Sequence, residues 1–230
     1  MRTALIAALT LLLPRLGASQ QAKSYALETA AGLQLHNVVA DAATLAGKKG
    51  VRVTFADTAA ERQVQVDPLA VIEGVEFSSG TIEAEIAGMP ATGAVGGARG
   101  FVGIAFRVQP DLKTYDAFYL RPTNGRADDQ ERRNHATQYI SHPDWTWSRL
   151  RQETPSKYES YVDVQPNVWT RIKIEVAGDK ARLYVNDNPQ PVLLVNDVKS
   201  GATARGGVAL WIGPGTIAHF RNIKVTALNP

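Results

Sequence analysis

Trp169–Val195 reads WTRIKIEVAGDKARLYVNDNPQPVLLV, and its pattern decides the fold class. Over Trp169–Val176, Trp169, Arg171, Lys173 and Glu175 alternate with Thr170, Ile172, Ile174 and Val176. This period of two belongs to a strand with one face buried. Gly178-Asp179 supplies a hairpin turn into a second strand, Ala181–Val185, and Asn186-Asp187-Asn188-Pro189 supplies the next turn into Val192–Val195. Gly207–Ile212 and Thr216–Val225 continue the pattern to the C-terminus.

Working back toward the N-terminus, the same grammar recurs. Leu33–Val39, Gly50–Phe55 and Gln63–Val66 read as strands, the last stopped by Asp67-Pro68. Phe77–Ile86 places Ile82, Ala84 and Ile86 on one face and Thr81, Glu83 and Glu85 on the other. Gly88–Gly100 carries little large apolar surface and reads as a loop. Phe101–Val108 puts Val102, Ile104, Phe106 and Val108 toward a core, with Gly103, Ala105 and Arg107 opposite. Tyr115–Arg121 assigns Phe118 and Leu120 to the core, leaving Tyr115, Tyr119 and Arg121 on the other face. In His135–Ser141 the phase stays open, with Gln138 on one face and Tyr139 on the other. Ser148–Glu153 suits a turn of helix, and Tyr158–Val164 another strand. Roughly a dozen short strands with regular turn signals predict an all-β antiparallel sandwich forming one domain over residues 20–230.

Residues 1–19 read as a secretory leader: Arg2, an apolar run Ala4–Leu13, Pro14, then Gly17, Ala18 and Ser19. The apolar run is shorter than the ~20 residues a membrane span needs, so a secreted or periplasmic protein without a span is expected. Removing Arg2 and Arg15 takes the net charge from +3 to about +1, which argues against nucleic acid as a partner. With no Cys, disulfides, thiol nucleophiles and thiolate metal sites are excluded, and the hydrophobic 44% of the chain must hold the fold. A monomer is expected.

Chemistry-bearing residues concentrate in Tyr115–Trp147, YDAFYLRPTNGRADDQERRNHATQYISHPDWTW, which holds two of four His and two of four Trp. A pyranose offers an apolar face to aromatic rings and hydroxyl pairs to Arg, Asn and Gln. Arg107, Tyr115, Tyr119, Arg121, Asn124, Arg133, Tyr139, His142, Trp145 and Trp147 are the expected ligand-binding set, with Trp145 and Trp147 flanking a groove. Trp169 and Trp211 read as core. Glu83 and Glu85 share one strand face but read as a solvated surface. His135 and His142, seven residues apart with no third His or Cys nearby, make a weak transition-metal pair. Asp128 and Asp129 are compatible with Ca2+, although no metal or other cofactor is expected.

Trp169–Val195, with Gly206–Val225 (GGVALWIGPGTIAHFRNIKV), resembles the closing strands of concanavalin A-like lectin/glucanase sandwiches, and in particular the branch containing 3-keto-disaccharide hydrolase domains. Phe77–Glu83 and Gly100–Arg107 resemble earlier strands of that branch. The resemblance implies a jelly-roll β-sandwich with a concave carbohydrate face. In that branch a YE.Q strand carries an acid and a Gln on the concave face. Here His135-Ala136-Thr137-Gln138 keeps the Gln and has Ala136 where the acid would be, and the correspondence favours Gln138 over Tyr139 for the groove. The reading is a secreted jelly-roll domain that binds an oligo- or polysaccharide. The alternatives are a glycoside hydrolase using Glu159, His135 and Gln138, a polysaccharide lyase using His135, Tyr139, Arg121 and Arg133, and a non-catalytic protein-interaction module.

Overall fold

The computed structural model describes residues 20–56, 67–94 and 97–228. The expected leader and the expected strand Gln63–Val66 lie outside the described residues. The chain begins with β1 (Gln20–Tyr25), β2 (Leu33–His36), β3 (Val38–Leu45), β4 (Lys48–Phe55) and β5 (Leu69–Ile72). The middle comprises β6 (Gly80–Pro90), β7 (Val102–Val108), β8 (Tyr115–Leu120), α1 (Gln130–Asn134), β9 (Thr137–His142), α2 (Trp147–Glu153) and β10 (Glu159–Ser160). It closes with β11 (Thr170–Ala177), β12 (Lys180–Val185), β13 (Leu193–Val195), β14 (Gly207–Ile212) and β15 (Thr216–Leu228).

Two antiparallel sheets form. The first runs β13-β12-β11-β6-β15-β4-β3, with β1 also pairing β15, and the second runs β10-β9-β8-β7-β14-β5-β2. This is the antiparallel β-sandwich the alternation predicts, in the jelly-roll form the resemblance implies. The hairpin grammar holds in detail. Asn186 and Asp187 both have positive φ and Asn188 N–H bonds to the Val185 carbonyl, so this left-handed pair makes the tight turn with which the chain leaves β12 on its way to β13.

Ile82, Ile86, Ile174 and Phe220 of the first sheet and Ile104, Phe106, Phe118 and Leu210 of the second are fully buried. Each large apolar side chain taken from water contributes about 1.5–3 kcal/mol, which is how a chain without disulfides holds together.

Several expected boundaries move. The expected Leu33–Val39 strand divides at Asn37, whose φ of 57° ends β2 in the second sheet and starts β3 in the first. Tandem sheet membership leaves no mark on alternation. The loop expected from Gly88 begins later, because β6 continues to Pro90 against Thr216–Ala218 of β15. Tyr158–Val164 contracts to the two-residue β10, which pairs only with β9.

Candidate functional site

One row of residues crosses the second sheet in register: Glu159 of β10, Gln138 of β9, Tyr119 of β8, Gly103 of β7, Trp211 of β14 and Leu69 of β5. The neighbouring row, Thr137, Leu120, Val102 and Ile212, points the other way, into the sandwich. The first row therefore lies on the outer face of the sheet. Gly103 has no side chain, and a Cβ there would lie 2.2 Å from the Phe118 carbonyl oxygen and 2.6 Å from the Tyr119 Cβ. Over that gap Tyr119 stacks on Trp211, ring centroids 4.6 Å apart and 25° between planes, while Phe101 meets Tyr119 edge-on at 6.0 Å. Burial pushes the Tyr119 hydroxyl pKa up, and the Arg121 charge opposes it.

At one end of this row polar groups converge on Glu159, which is almost wholly buried. Arg151 of α2 grips the carboxylate with Nη2 at 2.6 Å and Nε at 3.1 Å and 3.2 Å. His135 Nδ1 meets its other oxygen, and Arg121 Nη1 lies 3.7 Å away. Arg121 also donates to the Tyr119 hydroxyl at 3.0 Å, to Gln138 Oε1 at 2.9 Å and to the His135 carbonyl at 3.0 Å. Gln138 in turn donates to the Tyr139 and Tyr158 carbonyls. Arg121 and Gln138 are each fixed by several partners, which preorganises that part of the array. Asn124 holds His135 through its carbonyl at 3.1 Å. Trp147 stands at the rim, 47% exposed, with the Arg151 guanidinium 4.9 Å from its ring centre. α2 can place both side chains on one face because Trp147 and Arg151 are four residues apart, with Thr146 capping the helix start.

A second cluster sits farther along the same face. The Tyr115 hydroxyl donates to Asp67 Oδ1 at 2.6 Å and accepts from Trp211 Nε1 at 3.1 Å, while His142 Nδ1 lies 2.8 Å from the same carboxylate oxygen. Burial, then the Asp67 charge, pushes the Tyr115 hydroxyl pKa well up. Contacts thus run unbroken from Asp67 through Tyr115, Trp211, Tyr119 and Arg121 to Glu159. Each end couples one imidazole to one carboxylate. Among the described residues no group of three or more His, Cys, Asp or Glu converges, so neither end offers a metal cage.

Three members of the expected ligand-binding set lie elsewhere. Arg107 does not face out with Gly103 and Ala105. It is the extra residue of a bulge, since Val108 pairs Gly207 while Phe106 pairs Val208, and its φ is 57°. A bulge reverses the facing of everything beyond it. The Arg107 guanidinium is buried and spends its protons on the Ser78, Gly178 and Gly201 carbonyls and the Ser200 hydroxyl. Tyr139 faces inward, donating to Asp116 at 2.5 Å and accepting from Lys199 N–H. Trp145 is packed between Arg149 and Lys199, 4.0 Å and 4.5 Å from its ring centre, away from Trp147. Arg133 lies at the margin, stacked over Tyr161. Trp169 is not core but half-buried, giving its Nε1 to the Leu45 carbonyl. Glu83 and Glu85 lie on the first sheet, where Glu85 meets Lys48, Arg221 and Asn222.

Sequence reading missed Trp211, Asp67 and Arg151. Trp211 is buried as expected of core, but against Tyr119 on the outer face. Asp67 sat in an apparent strand stop, and Arg151 in a polar helix with nothing to tie it to Glu159.

No family model and no curated protein matches the sequence. Solved structures do match. Carbohydrate-binding module CBM66 from Bacillus subtilis aligns with a TM-score of 0.53 at 16% identity, over 84% of this chain and 97% of that one. A protein of unknown function with a galectin-like fold, also from Bacillus subtilis, gives 0.51 at 12% identity over 90% and 96%. A Crh5 transglycosylase in complex with NAG gives 0.51 at 13% over 93% and 87%. At such identities the shared property is architecture: this chain has the jelly-roll β-sandwich fold of these structures.

Proposed function

We propose that the protein is a secreted or periplasmic carbohydrate-binding domain whose ligand lies along the outer, concave face of the second sheet. The observation that carries this reading is Trp147, a large exposed ring held by Arg151 at the edge of the fixed Glu159–His135–Arg121–Gln138 array. An exposed aromatic platform beside rigid donors and acceptors is what a sugar ring requires, since stacking takes its apolar face and the polar groups take its hydroxyls. Two similar structures, a carbohydrate-binding module and a transglycosylase in complex with NAG, support the same class of ligand. The leader pattern of residues 1–19 supports the location.

The second reading is a glycosidase or lyase, favoured by the His135–Glu159 dyad. A carboxylate on Nδ1 leaves Nε2 at the surface, 4.0 Å from the exposed Glu131, the arrangement that orients a histidine base. Most glycosidases need two carboxyl groups flanking the bond, whereas Glu159 is already engaged by two arginines and His135.

A panel of soluble polysaccharides, scored for binding and for new reducing ends, tests both. Binding that falls at least tenfold in Trp147→Ala, with thermal stability unchanged, is expected. Binding without turnover by the unmodified protein would remove the enzyme, and no binding to any glycan would remove both.

A further inference from the structure

Beside the Glu159 array lie two arginines that it does not use, Arg99 and Arg132. The turn Arg121–Asn124 carries them: the Arg99 carbonyl accepts from Thr123 N–H at 3.3 Å, and Arg132 Nη2 reaches the Thr123 carbonyl at 3.4 Å and Asn124 Oδ1 at 3.5 Å. Arg99 meets Thr123 through its backbone and gives Nη1 to the Ala98 carbonyl at 3.1 Å, Arg132 meets it through its guanidinium, and Asn124 ties this turn to the His135 carbonyl that Arg121 also holds. Burial, then the Arg132 and Arg121 charges, holds the Arg99 pKa below the ordinary arginine value, as expected of cations crowded together.

The acids nearby are committed elsewhere. Glu159 is held by Arg151, His135 and Arg121; Asp163 pairs with Arg126; Asp129 caps α1 by accepting from Arg132 N–H; and Glu131 faces His135. Asp128 is exposed on the loop. Among the described residues, neither Arg99 nor Arg132 makes an ion pair with an acid. The Thr123 hydroxyl is buried with no hydrogen-bond partner. Buried hydroxyls are normally satisfied, so an orphan beside uncompensated guanidinium groups marks a place where a group with acceptor oxygens fits.

We infer that Arg99, Thr123 and Arg132 form an anion subsite adjoining the sugar face, so that the preferred ligand is a glycan bearing carboxylate or sulfate groups. The inference rests on the carbohydrate reading above and refines it. Planar guanidinium groups match the paired oxygens of both substituents, so either satisfies the subsite. Arg121 links the regions, because the same side chain lines the cation group and bonds Tyr119 and Gln138 on the sheet. One sugar residue on the face would thus carry its substituent toward Thr123.

The test uses matched polymers: polygalacturonate against its carboxyl-reduced form, and a sulfated galactan against its desulfated form, with binding followed calorimetrically at 0.15 M salt. A second protein carries Arg99→Gln and Arg132→Gln together, both outside the Glu159 array and neither deeply buried. The expected result is at least about tenfold tighter binding of one anionic polymer than of its neutral partner, falling to less than about twofold in the double variant; an ion pair lost from a partly desolvated site is worth a factor of that order. The pair that shows the preference identifies carboxylate or sulfate. Equal binding of neutral and charged forms overturns the subsite while leaving carbohydrate binding in place. A preference that survives in the double variant, or one matched by heparin and double-stranded DNA alike, also overturns it, the latter by exposing general polyanion attraction. No binding of any polymer overturns the carbohydrate reading and the subsite with it.

Discussion

Removing the Glu159 carboxylate is the most informative single perturbation, because the structure gives its consequences different sizes at different partners. The side chain is 3% exposed, while two arginines and an imidazole converge on it. In Glu159→Ala, Arg121, itself only 6% exposed, keeps its charge and loses its nearest anion. Truncating one side of a buried ion pair costs about 3–5 kcal/mol, chiefly through the charge left behind. For a domain of this size, each kcal/mol moves the melting temperature by roughly 2–4 °C, so a fall of about 6–20 °C is expected. Arg151→Ala should cost no more than about 1 kcal/mol, because Arg151 is 35% exposed and water can replace it, while Arg121 and His135 still face the acid. Glu159→Gln, which keeps an acceptor but not the charge, should fall between. Scanning calorimetry with tryptophan fluorescence measures all three. If Glu159→Ala melts within about 2 °C of the parent, or Arg151→Ala is the more damaging of the two, Glu159 is not the centre of the array.

Other expected outcomes are separable from that one. Arg107→Lys should cost about 2–4 kcal/mol in urea titration, since one ammonium cannot reach the Ser78, Gly178, Ser200 and Gly201 acceptors together, while glycan affinity of the folded protein stays unchanged. Asp197 feels some burial, which raises its pKa, yet bonds from Lys157, Tyr158 and Lys199 hold it down to about 2. Its folded value lies below the unfolded one, so its contribution is complete above the ordinary value of 3.8 and is lost as pH falls through about 2. The stability gap between the parent and Asp197→Asn should therefore narrow from pH 5 to pH 2, and a gap constant across that range would contradict the assignment. Asp116 behaves oppositely: burial raises its pKa, against bonds from Ser200, Tyr139 and Ser141, so it favours the fold less as pH climbs from 3.8 through its raised value. Asp116→Asn should flatten that decline, read from urea midpoints between pH 4 and pH 7.

The strands were legible because a sandwich writes period two into every segment that has one dry face. Gly207–Ile212 falls where alternation and flanking glycines put it, and Trp169–Val195 resolves into three strands whose turns are carried by Gly178 and Asn186-Asp187. What stayed hidden has one common cause, since facing and partnership are properties of two strands, not one. Arg107 obeyed the alternation of β7 until an unpaired residue in the ladder turned it inward, and a bulge is visible only against its neighbour. β9 could not be phased until β8 and β10 lay beside it, when Gln138 met Tyr119 and Glu159. Trp211 looked like core because burial and apolarity cannot say which side of a sheet is being buried. Asp67 joined Tyr115 and His142 across distances that no local pattern encodes. The family resemblance favoured Gln138 over Tyr139 for the groove, where single-strand periodicity could not choose, yet Tyr139 stayed in the expected ligand-binding set.

The pairing of β1 with β15 governs how the molecule can be made. Gln20–Tyr25 finds its hydrogen bonds on Ile223–Leu228, at the opposite end of the chain. A ribosome delivers the first of these long before the second, so the N-terminal segment must wait, unpaired, while everything between is synthesised. β6 waits likewise, since its neighbours β11 and β15 both come later. Ladders closed between such distant segments form slowly. The first sheet is therefore built to close only after β15 has been made, and a truncation that removes β15 leaves β1, β4 and β6 without the strand that joins them.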